Sequence, residues 1–153
     1  MPIPSFNLFR SFSKCPKLDP QSSSINNDIS QQKDIIRWGI ISAGKVSSDF
    51  AKAIAITPGA QLVAVATRTS ITRAEKFALD HDVNTSYGTY EELLRDPNVD
   101  VVYIGSIADQ HYEIATRSLT MGKPTVVEKP LTLSLKETET LIDLARRKKT
   151  FLM

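Results

Sequence analysis

From Ile35 onward the chain alternates short apolar segments with amphipathic helical patterns, joined by short connections. The apolar segments predict strands over 36–41, 62–66, 84–87, 101–104 and 125–127, and Thr150 opens a sixth. Strand–helix units of this size build a parallel sheet with helices on both faces. We therefore expect an α/β fold, a Rossmann-like doubly wound parallel sheet.

Five helices fill the intervals between these strands. The first covers 45–56, with Val46, Phe50 and Ile54 expected to face the sheet. Three Ser/Thr-x-x-Glu capping boxes predict the starts of later helices, at Thr72, Thr89 and Ser134. Phe77 and Ala78 are expected to point inward, and the remaining helix runs from about 110 to 121, before Gly122.

Residues 1–34 differ in composition from the rest. They carry four prolines and a serine run without a sustained apolar period, so we expect a disordered extension before a dinucleotide-binding domain over 35–153. Residues 1–18 hold no acid before Asp19, which resembles a mitochondrial transit peptide, although the prolines oppose the helix such a peptide needs. We expect a cytoplasmic protein, with mitochondrial targeting as the alternative.

Composition excludes several classes of partner. A formal net charge of +2 is too small to indicate nucleic-acid binding, and the longest apolar runs have strand length, which indicates no membrane span. The single cysteine, Cys15, has no internal partner for a disulfide. We expect no metal site.

The turn after the first strand reads Ser42-Ala43-Gly44-Lys45-Val46-Ser47. A dinucleotide site has G-x-G-x-x-G here, and Gly44 keeps the glycine that lets the backbone approach a pyrophosphate. The alternative is a nucleotide-triphosphate loop beginning at Gly39. That loop needs Ser or Thr after its lysine to hold magnesium, and Val46 stands there instead.

The end of the second strand indicates which dinucleotide is bound. NAD proteins place an acid about 20 residues past the glycines to bind the ribose 2′-hydroxyl. Here no acid lies between Gln61 and Arg73, and Arg68 follows the strand. Arg68 and Arg73 suit a 2′-phosphate, which favours NADP over NAD. The alternative is that both are solvated loop residues.

Glu128-Lys129-Pro130 directly follows the fifth strand. Ligands bind at the carboxyl ends of strands in such sheets, and a lysine held there can donate hydrogen bonds to a substrate oxygen. Pro130 disfavours helical backbone at Lys129 and stops the strand. The alternative is a solvated lysine that closes a strand.

These motifs, together with Tyr87-Gly88-Thr89-Tyr90, Tyr103-Ile104-Gly105-Ser106, His111 and Gly122-Lys123, resemble the oxidoreductase family of glucose–fructose oxidoreductase and inositol 2-dehydrogenase, Gfo/Idh/MocA. The dihydrodiol dehydrogenase branch, also described as D-xylose dehydrogenases, is the more similar. The resemblance implies catalytic roles for Lys129 and His111. It implies cofactor contacts at Ser42, Ala43, Gly44, Lys45, Val46, Arg68, Arg73, Tyr103, Ser106 and Glu128.

The same resemblance implies hydride transfer between a sugar or dihydrodiol hydroxyl and NADP, and allows a homodimer. It also implies a C-terminal α/β substrate domain, which we expect to be absent from this truncated chain, leaving the chain inactive alone. The alternative is a non-catalytic nucleotide-binding or interaction module.

Overall fold

A computed structural model of the protein describes residues 35–153. Five strands form one parallel sheet in the order β3-β2-β1-β4-β5. The strands are β1 Ile36–Ile41, β2 Ala60–Ala66, β3 Thr85–Tyr87, β4 Val101–Ile104 and β5 Thr125–Val127. The helices are α1 Lys45–Ile56, α2 Ile71–Asp80, α3 Tyr90–Arg95, α4 His111–Thr120 and α5 Leu135–Lys148.

Two buried clusters cover the two faces of the sheet. On one face α1 and α2 bury Ala51, Phe77 and Ala78 against strand residues such as Ile40 and Val65. On the other face α3, α4 and α5 pack on residues that alternate with these along the strands; they are Ile41, Ala64, Ala66, Val102 and Ile104. Helices on both faces of a parallel sheet confirm the doubly wound fold predicted from the alternation.

The strand predictions differ from the structure mainly at their ends. β2 begins at Ala60, two residues before the predicted start, because Ile36 and Arg37 of β1 pair with Ala60 and Gln61. The sixth strand is present as a single parallel bridge between Thr125 and Leu152. It is extended by hydrogen bonds from the Thr125 amide to Phe151 O at 2.9 Å and from the Val127 amide to Met153 O at 2.8 Å.

Two of the three predicted helix caps are present. Thr89 forms the complete capping box with Glu92, and Ser134 accepts a hydrogen bond from the Glu137 amide at 3.3 Å. The box predicted at Thr72 is wrong, since α2 begins at Ile71 and Ser70 is its N-cap. The Thr67 hydroxyl donates to Ser70 O at 2.6 Å, and this turn brings the chain into the helix earlier.

Helix α1 presents a different face to the sheet from the one predicted. Its buried residues are Ser47, Ala51 and Ile54, whereas Val46 is 49% exposed. The prediction that Val46 faces the core is therefore wrong, because small side chains at 47 and 51 let the helix approach the strands closely. Helix α4 begins one residue after its predicted start, because a short 3₁₀ turn, Ala108–Gln110, precedes it.

The amino-terminal edge of the sheet is held by an ion pair between Arg37 of β1 and Asp100, the residue before β4. The Arg37 guanidinium donates to both carboxylate oxygens of Asp100, at 2.7 and 3.0 Å, and its backbone amide donates to the same carboxylate. These hydrogen bonds lower the pKa of Asp100. This ion pair therefore stabilises the end of the sheet that lies opposite the carboxyl ends of the strands.

The predicted extension over residues 1–34 lies outside the described residues. Within residues 35–153, no helix combines the length and the apolar character that crossing a membrane requires.

Candidate functional site

The site lies at the carboxyl ends of β1 and β4, where the strand order changes direction. From β1 the chain builds outward through β2 to β3, and then crosses back to place β4 on the other side of β1. The connections after β1 and β4 therefore diverge and leave a crevice between them. The crevice is bordered by the turn over 42–44 and by Gly105, whose amide donates to Ile41 O at 3.1 Å.

The turn after β1 has the geometry of a dinucleotide-binding loop. Ser42 has a φ of 80°, so serine makes the tight turn that glycine usually makes here. Gly44 is the N-cap of α1 with extended backbone, which any residue can adopt. Among residues 35–153, a Cβ built on Gly44 would meet only Gly105 O and Ser42 Oγ, each at 3.9 Å. These residues leave the space next to Gly44 open. They therefore fit the pyrophosphate of a dinucleotide at the N-terminus of α1.

The other two glycines near the turn serve packing. A Cβ on Gly39 would lie 2.9 Å from Val99 and 3.0 Å from Leu93, and Gly39 lies inside β1. It therefore cannot begin a nucleotide-triphosphate loop, and that alternative is excluded. A Cβ on Gly105 would lie 2.4 Å from Ser47 Oγ, so this glycine lets α1 approach β4. The Ser47 hydroxyl is fully buried without a hydrogen-bond partner within residues 35–153.

A cavity of about 310 Å³ opens beside Gly44, between the first turn of α1 and helix α2. Three cationic side chains, Lys45, Arg73 and Lys76, line it together with one carboxylate, Asp80. We call this cavity the basic pocket. Its positive charge beside an open helix N-terminus suits a phosphate group.

Two polar side chains join the walls of the basic pocket. Ser48 Oγ on α1 lies 2.9 Å from Nε2 of His81, which is the C-cap of α2. Sequence reasoning missed Ser48, Lys76 and His81, because only the placement of α1 and α2 on the same face of the sheet brings them to Gly44. The one available signal was the spacing of Arg73 and Lys76, which puts both cations on one side of α2.

Arg68 lies in a different cavity from Arg73. It lines a small space of about 30 Å³ with Tyr90 of α3 and with Gln110 and Arg117. Burial raises the pKa of the Tyr90 phenol, and the nearby Arg68 opposes that rise. The two arginines that the sequence assigned to one phosphate thus line different cavities, although the charges of both act on Tyr90.

Tyr103 of β4 is joined to Glu128 under the crevice. Its hydroxyl donates to Glu128 Oε1 at 2.6 Å, and its ring stacks on Phe50 of α1 with centroids 3.8 Å apart. Burial, followed by the hydrogen bond to Glu128, raises the pKa of Tyr103 above its ordinary range. Tyr103 is 2% exposed, so it reaches the site through Glu128. Sequence reasoning missed Phe50 in this role.

Lys129 and His111 lie at the end of β5. Lys129 is exposed and follows β5 by two residues, and the peptide bond to Pro130 is cis. His111 is 1% exposed and lies between two backbone carbonyls, Pro130 O at 2.7 Å from Nδ1 and Ser106 O at 3.0 Å from Nε2. The structure therefore links the two predicted catalytic residues through the backbone of Pro130.

Comparison with known proteins agrees with this geometry. Residues 36–153 match the profile described as the oxidoreductase family with an NAD-binding Rossmann fold. Over 120 residues, trans-1,2-dihydrobenzene-1,2-diol dehydrogenase of Danio rerio is 44% identical, and the protein of the same name from Sus scrofa is 43% identical. Both matches cover 77% of this chain, which spans 36% of each relative's length.

Solved structures of reductases are also similar to this chain. A 3-ketoreductase from Actinomadura kijaniata in complex with NADP superposes with a TM-score of 0.73 at 31% identity, over 78% of this chain and 38% of that protein. A biliverdin reductase from Synechocystis in complex with biliverdin and NADP+ superposes with a TM-score of 0.70 at 32% identity, over 76% of this chain and 36% of the reductase.

Proposed function

Because the chain belongs to the Gfo/Idh/MocA oxidoreductase family and forms its NAD(P)-binding Rossmann domain, we propose that the dinucleotide it binds is NADP. The observation that carries this proposal is the basic pocket beside Gly44. A pyrophosphate held at the N-terminus of α1 brings the adenosine ribose to the end of β2, next to this pocket. Two structural neighbours are themselves described as complexes with NADP or NADP+.

Charge in the basic pocket supports NADP over NAD. Arg73, Lys76 and Lys45 can each donate a charge-assisted hydrogen bond to a 2′-phosphate. NAD offers only a 2′-hydroxyl, which is best recognised by a carboxylate at the end of β2, and that position holds Thr67 and Arg68. In this proposal Arg68 lies along the adenosine from the other side, in the cavity with Tyr90.

The reaction we propose is hydride transfer at a sugar or dihydrodiol hydroxyl, whose proton passes to a base near Lys129. When bound, the nicotinamide supplies the hydride acceptor or donor. Lys129 lies at the carboxyl end of β5 and orients the substrate hydroxyl through hydrogen bonds donated by its ammonium group. Glu128 is held for contact with the cofactor side of the crevice by the Tyr103 hydroxyl on Oε1 and by the Lys129 amide on Oε2.

A role without catalysis is not favoured by these relatives, which are named as dehydrogenases and reductases. The chain spans about a third of the relatives' length. We therefore propose substrate turnover for a full-length protein that contains this domain, and not for the domain by itself. We propose that a second domain of that protein closes the crevice from above the ends of β4 and β5.

Calorimetric titration tests the choice of cofactor. The wild-type chain should bind NADPH more tightly than NADH, and Arg73→Gln or Lys76→Gln should each weaken NADPH binding by about tenfold while leaving NADH unchanged. Arg147→Gln removes a matched exposed cation from the last turn of α5 and should change neither affinity. Equal affinities for both cofactors in the wild type would contradict the assignment of the basic pocket.

A chimera tests the role of Lys129. Residues 35–153 replace the matching third of the Danio rerio relative, and NADP+ reduction is assayed with D-xylose and with a trans-dihydrodiol. Lys129→Met should abolish turnover in the chimera but spare NADPH binding, because Lys129 acts on the hydroxyl and lies away from the phosphates. If the Lys129→Met chimera turns over substrate nearly as fast as the parent chimera, Lys129 is a solvated lysine without a part in the reaction.

A further inference from the structure

The imidazole of His111 joins two loops that border the crevice. Its Nδ1 lies 2.7 Å from Pro130 O in the β5–α5 connection, and its Nε2 lies 3.0 Å from Ser106 O in the β4–α4 connection. His111 itself begins α4. We call this set of contacts the histidine bridge. With 1% of the residue exposed, the ring is shielded from any molecule in the crevice.

The bridge completes the fixation of Lys129. On its N-terminal side the backbone is fixed to the sheet, where the Glu128 amide donates to Ile104 O at 3.0 Å. The Lys129 amide itself reaches only the carboxylate of its neighbour Glu128, at 3.2 Å, among the hydrogen bonds of residues 35–153. On the C-terminal side, the next backbone anchor is Pro130 O on His111.

We propose that His111 is a positioning residue that sets the place of Lys129 through Pro130, and that its Nδ1 carries the proton of that contact. A neutral imidazole has a single N–H, and both neighbours are acceptors, so it can pair fully with only one of them. The Pro130 contact, at 2.7 Å, is shorter than the Ser106 contact, at 3.0 Å, and this difference supports Nδ1 as the donor in the proposal. The purpose of fixing Lys129 rests on the proposed function, whereas the bridge can be tested without any cofactor.

Two substitutions separate the arms of the bridge. His111→Asn keeps an amide donor near the place of Nδ1, whereas His111→Gln moves that donor towards the place of Nε2. The Glu128 amide reports on the β5 side and the Gln110 amide, bonded to Ile107 O at 3.0 Å, reports on the β4 side. Amide hydrogen exchange of the full chain, resolved by NMR without ligand, measures both.

The proposal expects Glu128 to exchange roughly three- to tenfold faster in His111→Gln and at nearly the wild-type rate in His111→Asn. His81→Asn removes the other histidine, whose contact is to Ser48, and should leave the Glu128 rate unchanged. Equal acceleration in both His111 variants, or acceleration that extends to Ile40 in β1, would show a general loss of stability and overturn the positioning role.

A second measurement observes the proton itself. The sequence contains two histidines, so a ¹⁵N-imidazole spectrum of the chain holds two ring systems, and His81→Asn assigns them. The proposal expects a protonated Nδ1 on His111 in the protein without cofactor. An Nδ1 without a proton would overturn it, and this result would leave the NADP titrations untouched.

Discussion

Replacing Ser47 with alanine should stabilise the protein, although Ser47 lies in the first turn of α1, just after the dinucleotide-binding turn. Its Oγ is fully buried and has no hydrogen-bond partner within residues 35–153. An unsatisfied buried hydroxyl costs about 1–3 kcal/mol, and alanine is also the better helix former. We therefore expect Ser47→Ala to raise the free energy of unfolding by about 1 kcal/mol or more.

The neighbouring glycine allows the geometry behind this expectation to be checked. Gly105→Ala places a Cβ 2.4 Å from Ser47 Oγ and 2.9 Å from Tyr103 Cε1, an overlap that should cost about 1–3 kcal/mol. In the double variant Ser47→Ala with Gly105→Ala, the contact with Ser47 Oγ is gone. The new Cβ at position 105 then lies 3.5 Å from the Cβ at position 47, which is an ordinary distance. The two substitutions should therefore couple favourably, and the residual cost should come from Tyr103.

Urea unfolding of the wild type, both single variants and the double variant measures these free energies, provided that the m-value stays constant. Ser118→Ala is the matched control, because Ser118 is equally buried but its Oγ pairs with Thr125 Oγ1 at 2.8 Å. The control should lose stability. If Ser47→Ala loses as much, the Ser47 hydroxyl has a partner and the reasoning fails; additivity with Gly105→Ala would refute the close approach of α1 to β4.

Three further predictions concern single residues. Ser42→Gly should raise the free energy of unfolding by up to about 1 kcal/mol, measured by urea titration, because Ser42 has a φ of 80°. Thr89→Ala should lower it by about 1 kcal/mol through loss of the α3 cap, and the cost should appear in thermal unfolding as a lower midpoint. Asp100→Asn should be less stable than the wild type near neutral pH. Since Arg37 lowers the pKa of Asp100, that difference should be present above the ordinary carboxyl range and vanish as pH falls through the lowered pKa; a difference independent of pH would contradict the ion pair.

Local patterns predicted most of the fold. The strands over 36–41, 101–104 and 125–127 and the helix over 45–56 match the structure, because apolar periodicity reports directly on burial. Thr89 and Ser134 match as caps, since their partners lie three residues away in the chain. Thr72 shows the limit of such signatures. It has the same pattern, but the turn that Thr67 makes with Ser70 starts the helix earlier.

Contacts between elements could not be predicted in the same way. Arg68 and Arg73 are close in sequence and share a charge, yet they line different cavities, because Arg73 lies on α2 and Arg68 precedes it in the loop. Lys76 joins Arg73 in the basic pocket because α2 lies on the same face of the sheet as α1, beside Gly44. Val46 was assigned to the core by hydrophobicity, although the close approach of α1 to the sheet required small residues there.

The aromatic stack beneath the crevice gives the protein an optical property. Trp38, the single tryptophan of the sequence, packs edge-on against Phe50 with ring centroids 5.3 Å apart, and Phe50 in turn stacks on Tyr103. The fluorescence emission of Trp38 should therefore change when α1 separates from β4. Reduced nicotinamide absorbs light where indole emits, so quenching by energy transfer can report cofactor binding without an added label, in the same cuvette that follows unfolding.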